Sequence, residues 1–280
     1  MKALKYVFAT IIVLCIVFVA GAFALIDYAL STSDRNRTLS YEYMERTYPE
    51  TRPWMDSLNA IHALRDTFVV LSTGNRQHAI FVANPKAHGR TALLVHGYEC
   101  DAAQMGWKDR LDIEDWLRMA PSVFHTPADS MRLVLHGISM GAATTMCVSG
   151  DPTPSYVRCF IEDCGYTSVW DEYSQEMKKR FGLPEFPMLH ITSALVKARY
   201  GWSFKEASPL KQVAKCRKPM LFIHGSNDKF VPTAMVRPLY EAKPGKKALW
   251  IAPGSEHAVS YKDHKAEYTR RVADFLRYNL

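Results

Sequence analysis

The residue around which any chemistry of this sequence must be organised is Ser139, in the stretch MRLVLHGISMGAA (131–143). Gly137 and Gly141 flank it at the positions where a sharp strand-to-helix turn leaves no room for a side chain. An apolar run typical of a buried strand precedes the serine, and small residues that suit a closely packed helix follow it. The pattern therefore predicts a strand, a tight turn and a helix, with the Ser139 hydroxyl presented at the turn as a nucleophile.

A serine nucleophile needs a base that accepts its proton and an acid that orients the base. Asp228 follows the strand-like run MLFIH (220–224), and His257 follows the next such run, at 248–252. A lone Asp or His in a loop is usually an ordinary polar residue. A Ser, an Asp and a His that each follow a strand instead predict a catalytic triad of Ser139, Asp228 and His257. Asp163, which follows another strand-like run, is the alternative acid.

The negative charge that develops on an attacked carbonyl oxygen needs hydrogen-bond donors. The backbone N–H of Met140 is one candidate, because this residue directly follows the nucleophile. The backbone N–H of Tyr98 is the other, because this residue follows the apolar run ALLVH (92–96) and the small residue Gly97. Histidines at other strand ends are interpreted as structural, and they include His96, His136 and His224.

The elements that must position these residues follow from the hydrophobic pattern. Short β-rich runs separated by turn residues predict strands in addition to the one before Ser139, at 66–72, 77–83, 91–96, 157–161, 219–224 and 248–252. Helical periodicity lies between the later strands, around 108–119 and in a closing amphipathic helix around 264–278. Strands that alternate with helices predict an α/β fold with a mainly parallel sheet flanked by helices.

Composition limits the class of protein. Of the 280 residues 48% are hydrophobic, enough for a substantial core in one domain or at most two. The net charge of +7 is spread along the chain without a dense Lys/Arg block, which argues against nucleic-acid binding. Five of the six cysteines lie beyond the N-terminal apolar segment. Since their number is odd and no CxxC spacing occurs, we expect no metal centre and no full disulfide framework. We expect no cofactor either.

The N-terminal segment 6–26 contains no charged residue. About 21 residues of helix match the thickness of a bilayer's hydrocarbon core. Because Lys2 and Lys5 precede the segment, the positive-inside rule predicts a cytoplasmic N-terminus and an extracytoplasmic domain. The sequence Ala22-Phe23-Ala24 resembles a signal-peptidase site, so the alternative is a domain secreted after cleavage behind Ala24. We favour the single-pass anchor, because the apolar run is longer than a usual signal peptide's.

Several motifs lie in order between residues 60 and 280: LRDTF (64–68), VHGY (95–98), MGWKDRLD (105–112), GISMGAA (137–143), EDCGYTS (162–168), HGSNDKFVP (224–232) and GSEHA (254–258). With them the sequence resembles the α/β hydrolases, in particular a membrane-anchored bacterial group related to dienelactone hydrolases and acyl peptidases. The resemblance implies hydrolysis of an ester, thioester or amide in a small-molecule or peptide acyl substrate. It also implies Ser139, Asp228 and His257 as the triad, and Tyr98 and Met140 as oxyanion donors.

One departure from that family lies between VHGY and MGWKDRLD. Relatives carry a helix and a core strand there, whereas only the residues ECDAAQ (99–104) stand in this chain. The resemblance therefore implies an α/β-hydrolase fold that lacks one central strand, located between the second and third strands of the sheet. The sheet must then either stay open or close directly. The short connection 84–90 favours closure, with 77–83 antiparallel to 91–96.

These observations predict three regions: 1–26 as a transmembrane anchor or signal peptide, 27–60 as a stalk or lead-in helix, and 61–280 as the hydrolase domain. Within the last, the helical, aromatic-rich segment 169–212 is either a cap over the site or a pair of ordinary crossover helices. As a cap, it would present Trp170, Phe186 and Met188 to an apolar acyl group or an aromatic leaving group.

Two functions remain open at this point. The intact set of triad residues favours a working serine hydrolase. The missing strand favours a non-catalytic or impaired hydrolase-like domain.

Overall fold

The computed structural model describes residues 2–30, 42, 44–72, 74, 76–84, 86–97 and 104–280. The predicted oxyanion donor Tyr98 and the shortened segment that follows it, up to residue 103, lie outside the described residues.

The described strands are β1 Leu64–Val70, β2 Arg76–Val82, β3 Arg90–Val95, β4 Arg132–Ile138, β5 Val157–Asp163, β6 Met220–Gly225 and β7 Lys247–Ala252. The helices are α1 Lys2–Leu30, α2 Thr51–Ala60, α3 Asp109–Val123, α4 Met140–Ser149, α5 Val169–Phe181, α6 Met188–Tyr200, α7 Pro209–Val213, α8 Val236–Ala242, α9 Ser260–Asp263 and α10 Lys265–Asn279. Each predicted strand is confirmed, with ends displaced by about two residues or fewer.

The strands form two separate sheets. Strands β3 to β7 make a parallel sheet in the order β3-β4-β5-β6-β7, and β1 and β2 make an antiparallel pair in which Leu64 lies opposite Val82. The interior strands of the parallel sheet are buried on both faces, which explains why their sequences are nearly continuous apolar runs. Leu133 and Leu135 pack toward α3 and α4, whereas Val134 packs with residues of α10 on the opposite face. The predicted α/β fold with a mainly parallel sheet is confirmed.

The predicted antiparallel pairing of 77–83 with 91–96 is wrong. Among the described strands β2 pairs with β1, and β3 pairs with β4. The connection does not form a hairpin turn, because the N–H of Ala87 bonds to the carbonyl of Asn84 and the N–H of Arg90 bonds to the carbonyl of Ala87, giving two successive turns. Gly89 also lies so close to Ser130 that an added Cβ would stand 2.5 Å from its carbonyl oxygen. This contact starts β3 parallel to β4.

The sheet is therefore open at β3. Leu94 on this strand is 71% exposed, and the β1–β2 pair likewise exposes Phe68, Val70 and Ile80. Such apolar exposure is expected where the family's central strand is missing, because that strand would cover both neighbours. Among the described strands, β3 is an edge of the parallel sheet, and the loss of a central strand relative to the family stays a prediction.

Helix α1 contains one candidate membrane span, Lys5–Asp27, with a mean hydropathy of 2.9. Most of its apolar side chains are exposed, but Ala22 and Ile26 are buried against the folded domain. The contacts are made mainly with α6.

Candidate active site

Ser139 stands between β4 and α4 in a strained backbone conformation. Its φ is 59°, in the left-handed region that L residues rarely adopt. A Cβ added at Gly137 would lie 1.9 Å from the carbonyl oxygen of Gly141, and one added at Gly141 would lie 2.1 Å from that of Val95. No side chain fits at either position, so the two glycines let the strand, the turn and the helix pack together.

The three side chains predicted as a triad meet at the carboxyl end of the parallel sheet. The Nε2 atom of His257 lies 2.8 Å from Ser139 Oγ, and its Nδ1 atom lies 2.7 Å from Asp228 Oδ2. Asp228 follows β6 and His257 follows β7, so adjacent parallel strands deliver both to one edge. With a proton on Nδ1 held by the carboxylate, the Nε2 lone pair points at the serine hydroxyl. This arrangement can remove the hydroxyl proton.

The Asp228 carboxylate accepts hydrogen bonds from three donors and lies beside a second histidine. Its Oδ1 atom accepts the backbone N–H groups of Phe230 at 2.9 Å and Val231 at 3.0 Å. Besides His257, the buried His224 lies 3.4 Å from Oδ2 through its Nε2 atom. Burial raises the pKa of Asp228, but the bonds from His224 and His257 outweigh it and bring the pKa down to about 2. The carboxylate therefore stays ionised at neutral pH.

The sequence did not predict that His224 lies in the site. It was predicted to be structural, and the structure places it beside the acid, where its Nε2–H donates to the carbonyl of Val231 at 2.9 Å. Burial lowers its pKa, but Asp228 and the nearby Glu162 outweigh burial and raise it above its ordinary value. Its place near the acid could have been inferred from its position at the end of β6, just before the loop that carries Asp228.

Asp163, the alternative acid, has other partners. Its carboxylate accepts the Tyr268 hydroxyl at 3.0 Å, and its backbone carbonyl accepts the N–H of Ser139 at 2.8 Å. Burial raises its pKa to about 6 despite the Tyr268 bond. Among the described residues it is Asp228, and not Asp163, that bonds to the His257 imidazole.

Met140 is the first residue of α4, so its N–H has no acceptor inside the helix. The positive end of the helix dipole adds to the attraction for an anion at this point. Gly97, which precedes the predicted donor Tyr98, lines the same cavity as Ser139. The described residues thus place one of the two predicted donors, and the position of the Tyr98 N–H lies outside them.

A group of potential metal ligands coincides with these residues. Ligand atoms of Cys164, Asp228 and His257 lie within 4.8 Å of one another. Burial raises the pKa of the Cys164 thiol well above its usual range, so the thiol is neutral and a weak ligand. Because Asp228 and His257 are already bonded to each other, the cluster fits a triad better than a metal centre.

A cavity of about 590 Å³ opens over Ser139 and His257. Its wall is mainly apolar, with contributions from α1, α5 and α6 that include Leu25, Ile26, Met177, Phe181 and Leu189. Trp170, Phe186 and Met188, which the sequence suggested for this wall, are not among the lining residues. Burial raises the pKa of the lining residue Glu172 to about 8, so this side chain is neutral at pH 7.

Comparison with known proteins identifies sequences that are similar to this chain. The prolyl oligopeptidase family matches residues 101–280. The chain is 36% identical to the uncharacterized protein YqkD of Bacillus subtilis (strain 168) over 221 residues, which are 79% of this chain and 68% of that protein.

Solved structures with a similar fold share less sequence. The Pyrococcus furiosus esterase Pf2001 has 18% identity and a TM-score of 0.59, over 77% of this chain and 92% of that chain. A Pyrococcus horikoshii acylaminoacyl peptidase has 14% identity and a TM-score of 0.58, over 77% of this chain and 41% of that chain. At these identities the likeness shows the α/β-hydrolase fold alone.

Proposed function

Since the chain belongs to the prolyl oligopeptidase family, we propose that it is a serine hydrolase that cleaves an ester, thioester or amide bond through an acyl-enzyme. The observation that carries the proposal is the hydrogen-bonded chain from Ser139 through His257 to Asp228. A small-molecule or peptide acyl group is the substrate class that this chemistry accepts. No metal or cofactor takes part in the proposed reaction.

In the proposed reaction, His257 Nε2 accepts the Ser139 proton as Oγ bonds to the substrate carbonyl carbon. The charge on the carbonyl oxygen is stabilised by the N–H groups of Met140 and Tyr98. Collapse of the tetrahedral intermediate expels the leaving group, which receives the proton from His257. A water molecule then gives a proton to His257 as it attacks the acyl carbon. Collapse of the second intermediate breaks the bond from the acyl carbon to Oγ, His257 returns the proton to Ser139, and the acid is released. Asp228 holds the imidazole in the required tautomer throughout.

Covalent labelling with a fluorophosphonate probe tests the proposal. We expect wild-type protein to be labelled and to hydrolyse a short p-nitrophenyl ester, and Ser139→Ala to lose both activities. Ser149→Ala is the matched control, because Ser149 is a buried serine at the C-terminal end of α4, the helix that follows Ser139. Failure of the folded wild-type protein to react would favour the alternative, a non-catalytic hydrolase-like domain.

We further propose that α1 is an uncleaved membrane anchor with the domain on the extracytoplasmic side. The burial of Ala22 and Ile26 against the domain supports this, because cleavage behind Ala24 would remove part of the helix that packs there. Full-length protein should resist carbonate extraction from membranes, and deletion of residues 1–26 should release it. Mature protein that begins at Leu25 would show that the domain is secreted instead.

A further inference from the structure

The cavity over Ser139 has an unusual wall, because part of it comes from the proposed anchor. Leu25, Ile26 and Leu30 of α1 line the same cavity as Ser139 and His257. Ile26 is 1% exposed and belongs to the apolar cluster that contains Met140, the residue after the nucleophile. The end of the helix that crosses the bilayer in our proposal therefore lies within the substrate-binding region.

The packing of α1 on α6 determines how far the cavity lies from the candidate membrane span. Gly21 lies against Met188, the first residue of α6, so closely that an added Cβ would stand 3.1 Å from Met188 Cε. Both Gly21 and Ile26 belong to the candidate span Lys5–Asp27. At about 1.5 Å per residue, Gly21 is only about 9 Å from the end of that span. With α1 as the proposed anchor, the start of α6 and the cavity wall beside it would stand at the membrane boundary.

The segment before α6 has the composition of a membrane interface. It exposes apolar side chains that the domain leaves uncovered, namely Phe181, Leu183 and Phe186, the last of which is 71% exposed. The preceding helical turn, at the end of α5, carries Lys178 and Lys179. Aromatic and aliphatic side chains beside lysines are typical of protein surfaces that rest in the headgroup region.

The cavity lining suits an apolar chain. Its aliphatic, methionine and aromatic side chains surround Glu172, which is neutral at pH 7. Glu176 and Arg180, which also line the cavity, form an ion pair with each other. A hydrocarbon chain can therefore enter without meeting an unpaired buried charge.

We propose that the cavity binds the acyl chain of a membrane-resident ester or thioester, that the last turns of α1 form one wall of this acyl pocket, and that the surface at 181–187 docks on the bilayer to admit the chain. The proposal rests on the proposed function, in which Ser139 attacks the acyl carbon and α1 is the anchor.

Chain-length dependence tests the acyl pocket, with full-length protein in phosphatidylcholine vesicles and p-nitrophenyl esters from acetate to octanoate. Each added methylene that enters the cavity should raise kcat/KM by about four-fold. The larger side chain of Leu25→Trp should occupy part of the cavity. It should lower the octanoate-to-acetate ratio of kcat/KM by at least about ten-fold. Leu14→Trp is the matched control, because Leu14 is exposed on the membrane-spanning part of the same helix. It should leave the ratio unchanged.

Entry from the bilayer is tested with a fluorogenic oleate ester embedded in the vesicles. Phe186→Ser should lower its rate several-fold relative to the rate for soluble p-nitrophenyl butyrate. Phe68→Ser, which removes an exposed ring from β1, should not change this ratio. Equal ratios for Phe186→Ser and wild type would mean that acyl chains enter from water, and would overturn the docking step.

A wild-type protein that fluorophosphonate labels, but whose kcat/KM does not change with chain length, would overturn the acyl pocket while leaving the serine-hydrolase proposal intact. The same holds if Leu25→Trp and Leu14→Trp behave alike. Absence of labelling in the wild-type protein would overturn the serine-hydrolase proposal and, with it, this one.

Discussion

Replacement of Asp228 by asparagine tests how the structure sets the state of His257. The backbone N–H groups of Phe230 and Val231 both bond to Asp228 Oδ1, so the oxygen of an asparagine amide must take that place. Its NH₂ group then stands where Oδ2 was, facing Nδ1 of His257. A donor at this position forces Nδ1 to act as the acceptor, which puts the imidazole proton on Nε2. The proton then points at Ser139 Oγ, and the base cannot accept another.

The expected loss follows from this change of tautomer. Comparable substitutions in serine hydrolases lower kcat by about 10⁴, equivalent to about 5.5 kcal/mol of transition-state stabilisation. The substitution also removes the carboxylate charge that lies 3.4 Å from the buried His224. Loss of this attraction in a buried site should lower the free energy of unfolding by about 1–3 kcal/mol. We therefore expect a folded protein with a moderately lower Tm and little turnover.

The assay is steady-state hydrolysis of a p-nitrophenyl ester by purified protein in detergent, with thermal melting of the same samples. Asp163→Asn is the control, because Asp163 is a buried carboxylate at the same end of the sheet whose bond comes from Tyr268. Its kcat should change by less than about ten-fold, since asparagine keeps an acceptor for that hydroxyl. If Asp228→Asn keeps a tenth or more of wild-type kcat, or Asp163→Asn causes the larger loss, the assigned acid is wrong.

Two further predictions concern the stability of the domain. Burial raises the pKa of Glu162 to about 8. Between about pH 4.5 and 8 the folded state therefore binds a proton that the unfolded state has lost. The free energy of unfolding should fall as the pH rises through this window, by up to about 1.4 kcal/mol per pH unit. Glu162→Gln should flatten this slope in denaturation measured at pH 5, 6.5 and 8, and an unchanged slope would contradict the assignment. Insertion of a relative's helix and strand after Asp101 should raise both the Tm and the esterase rate, because the inserted strand would cover β3. If neither rises, the sheet already supports folding and activity without the inserted strand.

The positions of the triad side chains could be predicted because local sequence determines them. Each follows an apolar run, and the carboxyl ends of parallel strands meet at one edge, so Ser139, Asp228 and His257 had to be neighbours once the strands were known. Of the two candidate acids, Asp228 is the one that makes the bond to His257. Their catalytic roles stay predictions until the variants are measured.

Long-range contacts could not be predicted in the same way. A short connection containing Gly89 resembled a hairpin turn, but the contact of Gly89 with Ser130, distant in sequence, directs β3 to β4. The burial of Ile26 in the cluster beside the nucleophile was equally hidden, because an apolar residue in a membrane span looks the same whether it faces lipid or protein. Both features depend on which surfaces meet, and hydrophobic periodicity does not specify the partner.

The predicted loss of a central strand would affect the parts of the site unequally. Ser139, Asp228 and His257 follow β4, β6 and β7, and both β4 and β6 are paired on each side. Among the described strands, β3 and β7 are the two edges of the parallel sheet, and β3 is the edge that would border the absent strand. Of the predicted site residues, Tyr98 is the one that follows β3. A loose oxyanion loop, with an intact nucleophile and base, is therefore the expected form of any impairment. Loss of one oxyanion donor lowers kcat by about 10²–10³ while leaving the serine able to react. Fluorophosphonate labelling that still goes to completion, combined with slow ester turnover, would thus locate the defect at β3, whereas absence of both labelling and turnover would locate it in the triad.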